Sequence, residues 1–280
     1  MKILVFIKEV PDIRIPLACD EYAGKLRADW NVSMLNPADN SAIEAALKMK
    51  KGLPGTQVTV VHLGPASGER LIRECLALGC DEGLRIWEEG LEEIHATGKA
   101  LIFARIAEIT GFDLILTGAR SQDIGSAQLG VLLALHLALP SISSVIAFQV
   151  KGGTIAATKR LAQGYHEYVE APTPAVITVE THEEPCGYAS PPCLLEATER
   201  EIPCYDLSRI GISSQLIRHI ENCLNIGPLR FPTARPRFTP APDSTLPAFL
   251  RIRKLIEGTI TRREGKLVRR AGWIICGKAV

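Results

Sequence analysis

The stretch Asp113–Pro140 reads "DLILTGARSQDIGSAQLGVLLALHLALP". It opens on an apolar run of the length of a buried strand. It passes through a loop marked by Gly118 and Gly125, then enters a second apolar run. From Ile124 to Val150 there is no Asp, Glu, Lys or Arg. A membrane span would need roughly 20 mainly apolar residues in one helix. Pro140 splits this window, and Gln128, His136, Ser141, Ser143 and Ser144 are scattered through it. A buried helix over Ala127–Leu139 followed by a buried strand explains the missing charge without a bilayer. The stretch is read as strand, loop, helix.

The same unit recurs on the N-terminal side. "KILVFIK" (Lys2–Lys8) predicts a strand, and "NPADNSAIEAALKMKKG" a helix with Asn36 as N-cap, Pro37 in its first turn and Gly52 past its end. Thr56–Gly64 predicts a strand, Ala66–Leu78 a helix and "GLRIWEE" another strand. Glu93–Gly111 predicts a long helix and Phe112–Gly118 a buried strand. The N-terminus lacks the apolar length and cleavage site of a signal peptide, so it too is read as a strand. This alternation argues for the α/β class: a doubly wound, mostly parallel sheet with helices on both faces. Such sheets hold ligands at the carboxyl ends of their strands. The candidate ligand loops are therefore those after Lys8, Leu35, Leu63 and Thr117.

The loop after Thr117 carries the most chemistry. Backbone N–H groups at a helix N-terminus bind anions by hydrogen bonding and dipole together. Asp123 is placed either to cap the helix or to meet a ribose hydroxyl or adenine edge, and Gln128 offers both a donor and an acceptor. The plainer reading is that Gly125, Ser126, Ala127 and Gly130 only let the helix pack close to the sheet. No GxxxxGK[ST] loop and no complete GxGxxG fingerprint is present. There is also no GxSxG or HExxH, and the six histidines are scattered. With 32 basic and 31 acidic side chains, the net charge of +1 gives no field to gather nucleic acid. The eight cysteines form no CxxC pair and read as reduced thiols, with metal or redox chemistry at Cys186, Cys193 and Cys204 left open.

Beyond Pro140 the pattern becomes strands joined by a Gly152-Gly153 turn, closing with a buried strand at Ala175–Val179. After Glu180 prolines crowd a region of little periodicity, from Pro185 to Pro247. An irregular extension that keeps apolar residues is suited to wrapping a core or a partner. Within it, Leu246–Gly258 has helical spacing, and "TITRREGKLVRRAG" predicts a hairpin turning at Glu264-Gly265. The expected division is a nucleotide-binding domain over 1–182, then a partner-recognition loop and C-terminal arm over 183–280.

On these residues the chain resembles the β subunit of electron transfer flavoproteins. The likeness runs in order through "VFIKEVPD" (Val5–Asp12), "NPADNSAIEAALKMK" (Asn36–Lys50), "VTVVHLGP" (Val58–Pro65), "RECLALGCDEGLRI" (Arg73–Ile86) and "DLILTGARSQDIGSAQLG" (Asp113–Gly130). It continues in "PTPAVITVE" (Pro172–Glu180) and "LPAFLRIRKLIEGTITRREGKLV" (Leu246–Val268). The resemblance implies a fold of the adenine-nucleotide hydrolase-like kind and a heterodimer with an α subunit, with a redox FAD held mostly by α and shared at the interface. Electrons would pass between a dehydrogenase and a downstream acceptor, with no nucleic acid and no membrane insertion, in the cytoplasm. It also implies an adenine nucleotide in this subunit: AMP in single-flavin members, or a second FAD in electron-bifurcating ones. By position, the nucleotide would meet Phe6, Ile7, Lys8 and Val10, then Asn36, Leu63 and Gly64. On the last loop it would meet Asp123, Gly125, Ser126, Ala127, Gln128 and Gly130.

"KEVPD" and "DIGSAQLG" look more like the bifurcating pattern (KQVPD, DGDTAQVG), and Ile13 and Ala38 stand where many single-flavin members carry aromatic residues. FAD is therefore the expected nucleotide. The family's partner-recognition segment, of the form RYxxLPxIMKAKKK, here reads "GYASPPCLLEATERE" (Gly187–Glu201). That places Tyr188, Ser190, Pro191, Pro192, Leu194 and Leu195 at the recognition surface, with no metal and no catalytic residue. Pro191 replaces the anchoring leucine, and Glu196, Glu199 and Glu201 replace a basic run, which favours a docking partner of basic surface. Two other classes compete with this reading. A nucleotide-transforming enzyme of the same fold needs SGGxDS or HxGH near the first strand. A regulatory nucleotide-binding module would be shorter and carry GxxGx(9)G(S/T). Neither motif is present.

Overall fold

Aliphatic and β-branched runs set the strands, and alternate residues of each run point to opposite faces. In the strand β1 (Lys2–Ile7), Ile3, Val5 and Ile7 enter one core while Leu4 and Phe6 enter another, all of them buried. Burial on both faces is what a central parallel strand requires. The computed structural model describes residues 1–20, 25–27, 31–92, 94–181, 187–222, 243–256, 261–263 and 266–268.

Eight further strands complete one sheet. They are β2 (Gln57–Leu63), β3 (Glu82–Ile86), β4 (Leu114–Gly118), β5 (Ser141–Lys151), β6 (Thr154–Arg160), β7 (His166–Pro172), β8 (Ala175–Val179) and β9 (Cys204–Tyr205). The order across the sheet is β7-β6-β5-β8-β4-β1-β2-β3-β9. From β5 to β9 every neighbouring pair is parallel, while β5, β6 and β7 form an antiparallel extension. The chain runs from β1 outward to β2 and β3 on one side, and through β4 and β8 on the other. The direction of winding therefore reverses between β1 and β4, where a crevice opens at the carboxyl ends.

Helices cover both faces. Buried residues of α1 (Pro37–Gly52), α2 (Glu69–Leu78) and α5 (Pro191–Glu199) join the core with Ile3, Val5 and Ile7. Those of α3 (Ala96–Thr110), α4 (Leu129–Leu137) and α6 (Ser214–Asn222) join the core with Leu4 and Phe6. The doubly wound sheet expected from the sequence is the fold observed. None of the helices among the described residues is long and apolar enough to cross a membrane.

Three expectations change. The helix expected to be buried over Ala127–Leu139 is shorter, and it is not buried all round. Gly130, Leu133 and Ala134 face the sheet, while Val131 is 52% and Leu135 73% exposed. The strand expected to be buried after it, β5, buries only Ile142 and Val145, so absence of charge reported the character of the segment and not its burial. Gly52 closes α1 from inside, with Leu53 as its C-cap. The region after Glu180, read as having little periodicity, contributes α5, α6 and the edge strand β9. Each of these two helices is only nine residues long, and α5 opens on the pair Pro191-Pro192, which reads as a break.

The chain separates into two compact units, Met1–Pro228 and Leu229–Val280. The second contains α7 (Ala248–Ile256) and an antiparallel strand pair, Thr261–Arg263 with Lys266–Val268. These fall within the helix and hairpin expected there, although the turn at Glu264-Gly265 lies outside the described residues.

Candidate functional site

At the crevice between β1 and β4 lies a cavity of about 200 Å³. Phe6, Ile7 and Lys8 reach it from the end of β1, Asn36 and Asp39 from the start of α1, and Leu63 from the end of β2. Gly118 to Ser121 line it after β4, and Ile124 and Ser126 to Leu129 form the far wall. Arg120, Ile124, Ser126, Ala127 and Gln128 are exposed at its lip. Phe6 and Phe103 stack inside with ring centroids 4.3 Å apart.

The polar groups at its base cross-link three segments. Asn36 stands at the N-cap of α1, as expected, but its side chain caps nothing. Instead its amide nitrogen donates to the Arg120 carbonyl at 3.1 Å, and its amide oxygen accepts from the Gln122 N–H at 3.0 Å. Its backbone N–H donates to the Lys8 carbonyl at 3.0 Å. Asp39 accepts two backbone N–H bonds, from Lys8 and from Gly118, each at 2.8 Å. Burial pushes the Asp39 carboxyl up to about 7, against the pull of Asn36 and of these two donors. Such close approach needs glycine at 118, because a Cβ there would lie 2.4 Å from Asp39 Oδ1 and 2.8 Å from the Ala38 Cβ. Gly130 does the same for α4, since a Cβ there would meet the Thr178 methyl at 2.2 Å.

Lys8 pairs with Asp123 across the mouth, its Nζ 2.7 Å from Oδ1. Burial raises the Asp123 carboxyl, but its hydrogen bonds to Lys8 and Ser121 outweigh that and hold it below its ordinary value. Lys99 enters from α3. Burial and the neighbouring Lys8 push its ammonium down to about 8, and it has no hydrogen-bond or ion-pair partner among the described residues. Ala127, on the wall, holds a left-handed φ of 54°, a conformation that costs a non-glycine residue energy and that clusters at binding sites.

The structure brings Phe6, Ile7, Lys8, Asn36, Leu63, Ser126, Ala127 and Gln128 together around one cavity. Five other residues expected there stand outside its lining. Val10 is buried in a short strand, Glu9–Pro11, paired with Ser33–Leu35. Gly64 sits against the His62 ring, and Gly130 is on the sheet-facing side of α4. Gly125 is exposed on the loop, and Asp123 acts through Lys8 rather than as a helix cap. Sequence reasoning missed the α3 side, Ile94 to Ala96 with Lys99 and Phe103. One signal was available there. Lys99 shares the i, i+3, i+4, i+7 face of Ile102, Phe103 and Ile106, all buried, and a lysine on such a face needs a reason to be there.

A second surface is built on α5. Ser190 caps it, its Oγ accepting from the Cys193 N–H at 3.5 Å, and Pro191 and Pro192 occupy the first turn. Ala197 is buried against the core. Arg73, from α2, holds the other end: its Nη1 lies 2.7, 2.9 and 3.0 Å from the carbonyls of Ala197, Thr198 and Arg200. The outer face is left open, with Tyr188 98%, Leu195 69% and Leu194 43% exposed. Glu196 pairs with Arg200 at 3.1 Å, while Glu199 and Glu201 stand exposed. Cys193 and Cys204 are exposed thiols, and among the described residues no three His, Cys, Asp or Glu side chains are grouped to hold a metal ion.

The sequence profile of the electron transfer flavoprotein domain matches residues 28–201. The chain belongs to the electron transfer flavoprotein family. It is 31% identical over 217 residues to the caffeyl-CoA reductase-Etf complex subunit CarD of Acetobacterium woodii, covering 77% of this chain and 82% of that protein. It is 32% identical over 213 residues to an electron transfer flavoprotein subunit beta of Bradyrhizobium diazoefficiens, covering 76% and 84%. With the subunit beta of Methylophilus methylotrophus it shares 27% over 271 residues, 96% of this chain and 97% of that one. The last two relatives are electron transfer flavoprotein β subunits, and this chain is of that β type.

Proposed function

We propose that this chain pairs with an electron transfer flavoprotein α subunit and holds the adenosine portion of an FAD in the crevice between β1 and β4, AMP being the alternative occupant. The observation that carries this reading is the cavity itself. It sits where the winding of the sheet reverses, with apolar walls at Phe6, Leu63 and Phe103 and polar groups at its mouth. Those walls suit a purine ring, and Ser126 and Gln128 offer donors and acceptors beside it. Lys8–Asp123 and Asn36 hold the loop that forms the far wall. The exposed lip favours FAD, because a ligand longer than AMP can continue outward past Ser126 and Gln128.

When bound, a flavin accepts or releases one or two electrons; the protein supplies binding, orientation and electrostatics. The chain's part is to carry electrons between a dehydrogenase and a downstream acceptor, presenting α5 to the partner. Glu199 and Glu201 on that surface favour a basic docking face. The test is to purify the chain with its α subunit, denature the complex and quantify the nucleotides released. Two FAD per heterodimer with no AMP is expected. One FAD with one AMP makes it a single-flavin shuttle, and no adenine nucleotide beyond the α subunit's flavin overturns the reading.

A further inference from the structure

The charges around the cavity are unevenly matched. Lys8 and Asp123 neutralise each other, and Asp39 is occupied by two backbone donors. Arg120 stands at the lip in contact with water. Lys99 is different: it lies well inside, lines the cavity and is paired with nothing among the described residues. Its nitrogen is not sealed in protein, since it is absent from the buried polar atoms left without a partner. It therefore opens on the cavity. A cation removed from water without a counter-charge is costly, and a fold that keeps one beside an open cavity has left a place for an anion.

We propose that Lys99 holds the phosphate of the cavity's nucleotide, so that the subunit takes an adenine nucleotide in preference to the nucleoside. This rests on the nucleotide reading above and names the group that recognises its charge. Lys8 is unsuited to that role because Asp123 already neutralises it, and Arg120 because bulk water screens it. The remaining charged or titratable groups around Lys99 are Asp39 on α1, His62 on β2, His95 at the start of α3 and Glu221 on α6. Glu221 supplies the rival role for the lysine. One of its carboxylate oxygens accepts from the His95 N–H at 3.0 Å and the other is buried without a partner. A lysine retained only to balance Glu221 would matter to the fold and not to the ligand.

Calorimetric titration of the full chain, freed of nucleotide, with AMP and with adenosine separates the two roles. Lys99→Gln should weaken AMP about tenfold or more and leave adenosine unchanged, the size of a lost charge-assisted hydrogen bond. Lys99→Arg should keep most of the preference, and Arg120→Gln should lower it less than Lys99→Gln. Unchanged adenosine binding shows that the cavity is intact in the variant. If Lys99→Gln lowers only thermal stability and the AMP-to-adenosine ratio stays as in the parent chain, Lys99 serves Glu221 and the inference falls alone. If the parent chain binds neither ligand, the nucleotide reading falls and takes this inference with it.

Discussion

The crevice and helix α5 are both built beyond the ends of strands, yet they tolerate change very differently. At the crevice, Asn36, Asp39, Lys8 and the Gly118–Gln122 backbone satisfy one another, mostly out of water, and one added carbon collides. On α5 only the attachments are constrained: the Ser190 cap, buried Ala197 and the Arg73 clamp. Tyr188, Leu194 and Leu195 touch so little of the chain that the fold places hardly any demand on them. A ligand site made of the fold's own cross-links is conservative by construction, whereas a docking face hung on a few anchors can change its partner without risk to the core.

Substitution at Gly118 strains this contrast hardest. Gly118→Ala places a Cβ against Asp39 and Ala38, and overpacking with the loss of a buried hydrogen bond should cost about 2–5 kcal/mol. Urea unfolding should show a lower midpoint, and the purified chain should have lost its nucleotide. A variant as stable as the parent would mean that the cross-links are looser than their distances indicate.

Asp39 gives the next largest effect, and it has a direction in pH. Its folded pKa of about 7 lies above the ordinary 3.8, so the folded chain binds the extra proton between those values. Its contribution to stability is present at the acid end and lost as pH rises towards 7. The melting temperature should therefore fall between pH 5 and 7.5 more steeply in the parent than in Asp39→Asn. The variant should be less stable at pH 5, because an amide cannot accept both backbone bonds. Parallel pH profiles would remove Asp39 from the account.

How much of this could be read in the sequence follows the same division. The parallel sheet was legible because each element is long enough to show its period and each break falls at a glycine or proline. The loops after Lys8, Leu35, Leu63 and Thr117 were legible because a doubly wound sheet admits ligands along only one edge. The α3 side of the cavity was not, since its residues sit within a helix whose period announces packing first. Asp39 was hidden for the same reason, in the first turn of α1. Gly130 was legible as one of two readings, since it lets α4 pack close to the sheet, whereas the part of Gly64, close packing beside His62, left no signal. On α5 the exposed residues came from a resemblance, while the Arg73 clamp joins positions over a hundred residues apart and leaves no local pattern.

That clamp supplies a smaller effect with a cleaner separation. Arg73→Ala removes the donor to three carbonyls at the end of α5 and should cost about 1–2 kcal/mol. Amide exchange should speed up across residues 191–199 while the nucleotide stays bound. Equal loss of protection around the crevice would show that the two regions do not behave independently.

The smallest change in stability belongs to the charges of the docking face. Glu199→Lys with Glu201→Lys alters two exposed groups that no described hydrogen bond or ion pair engages, so stability should stay within about 0.5 kcal/mol. Rim charges act on the rate of encounter, over a distance of about 8 Å at physiological salt. If the dehydrogenase partner presents a basic face, the double variant should associate roughly severalfold more slowly at low salt. Added salt should slow the parent and quicken the variant. Stopped-flow reduction of the flavin by the dehydrogenase, followed across ionic strength, reads both slopes at once. Slopes of one sign for both chains would mean that charges elsewhere on the complex, and not Glu199 and Glu201, steer the encounter.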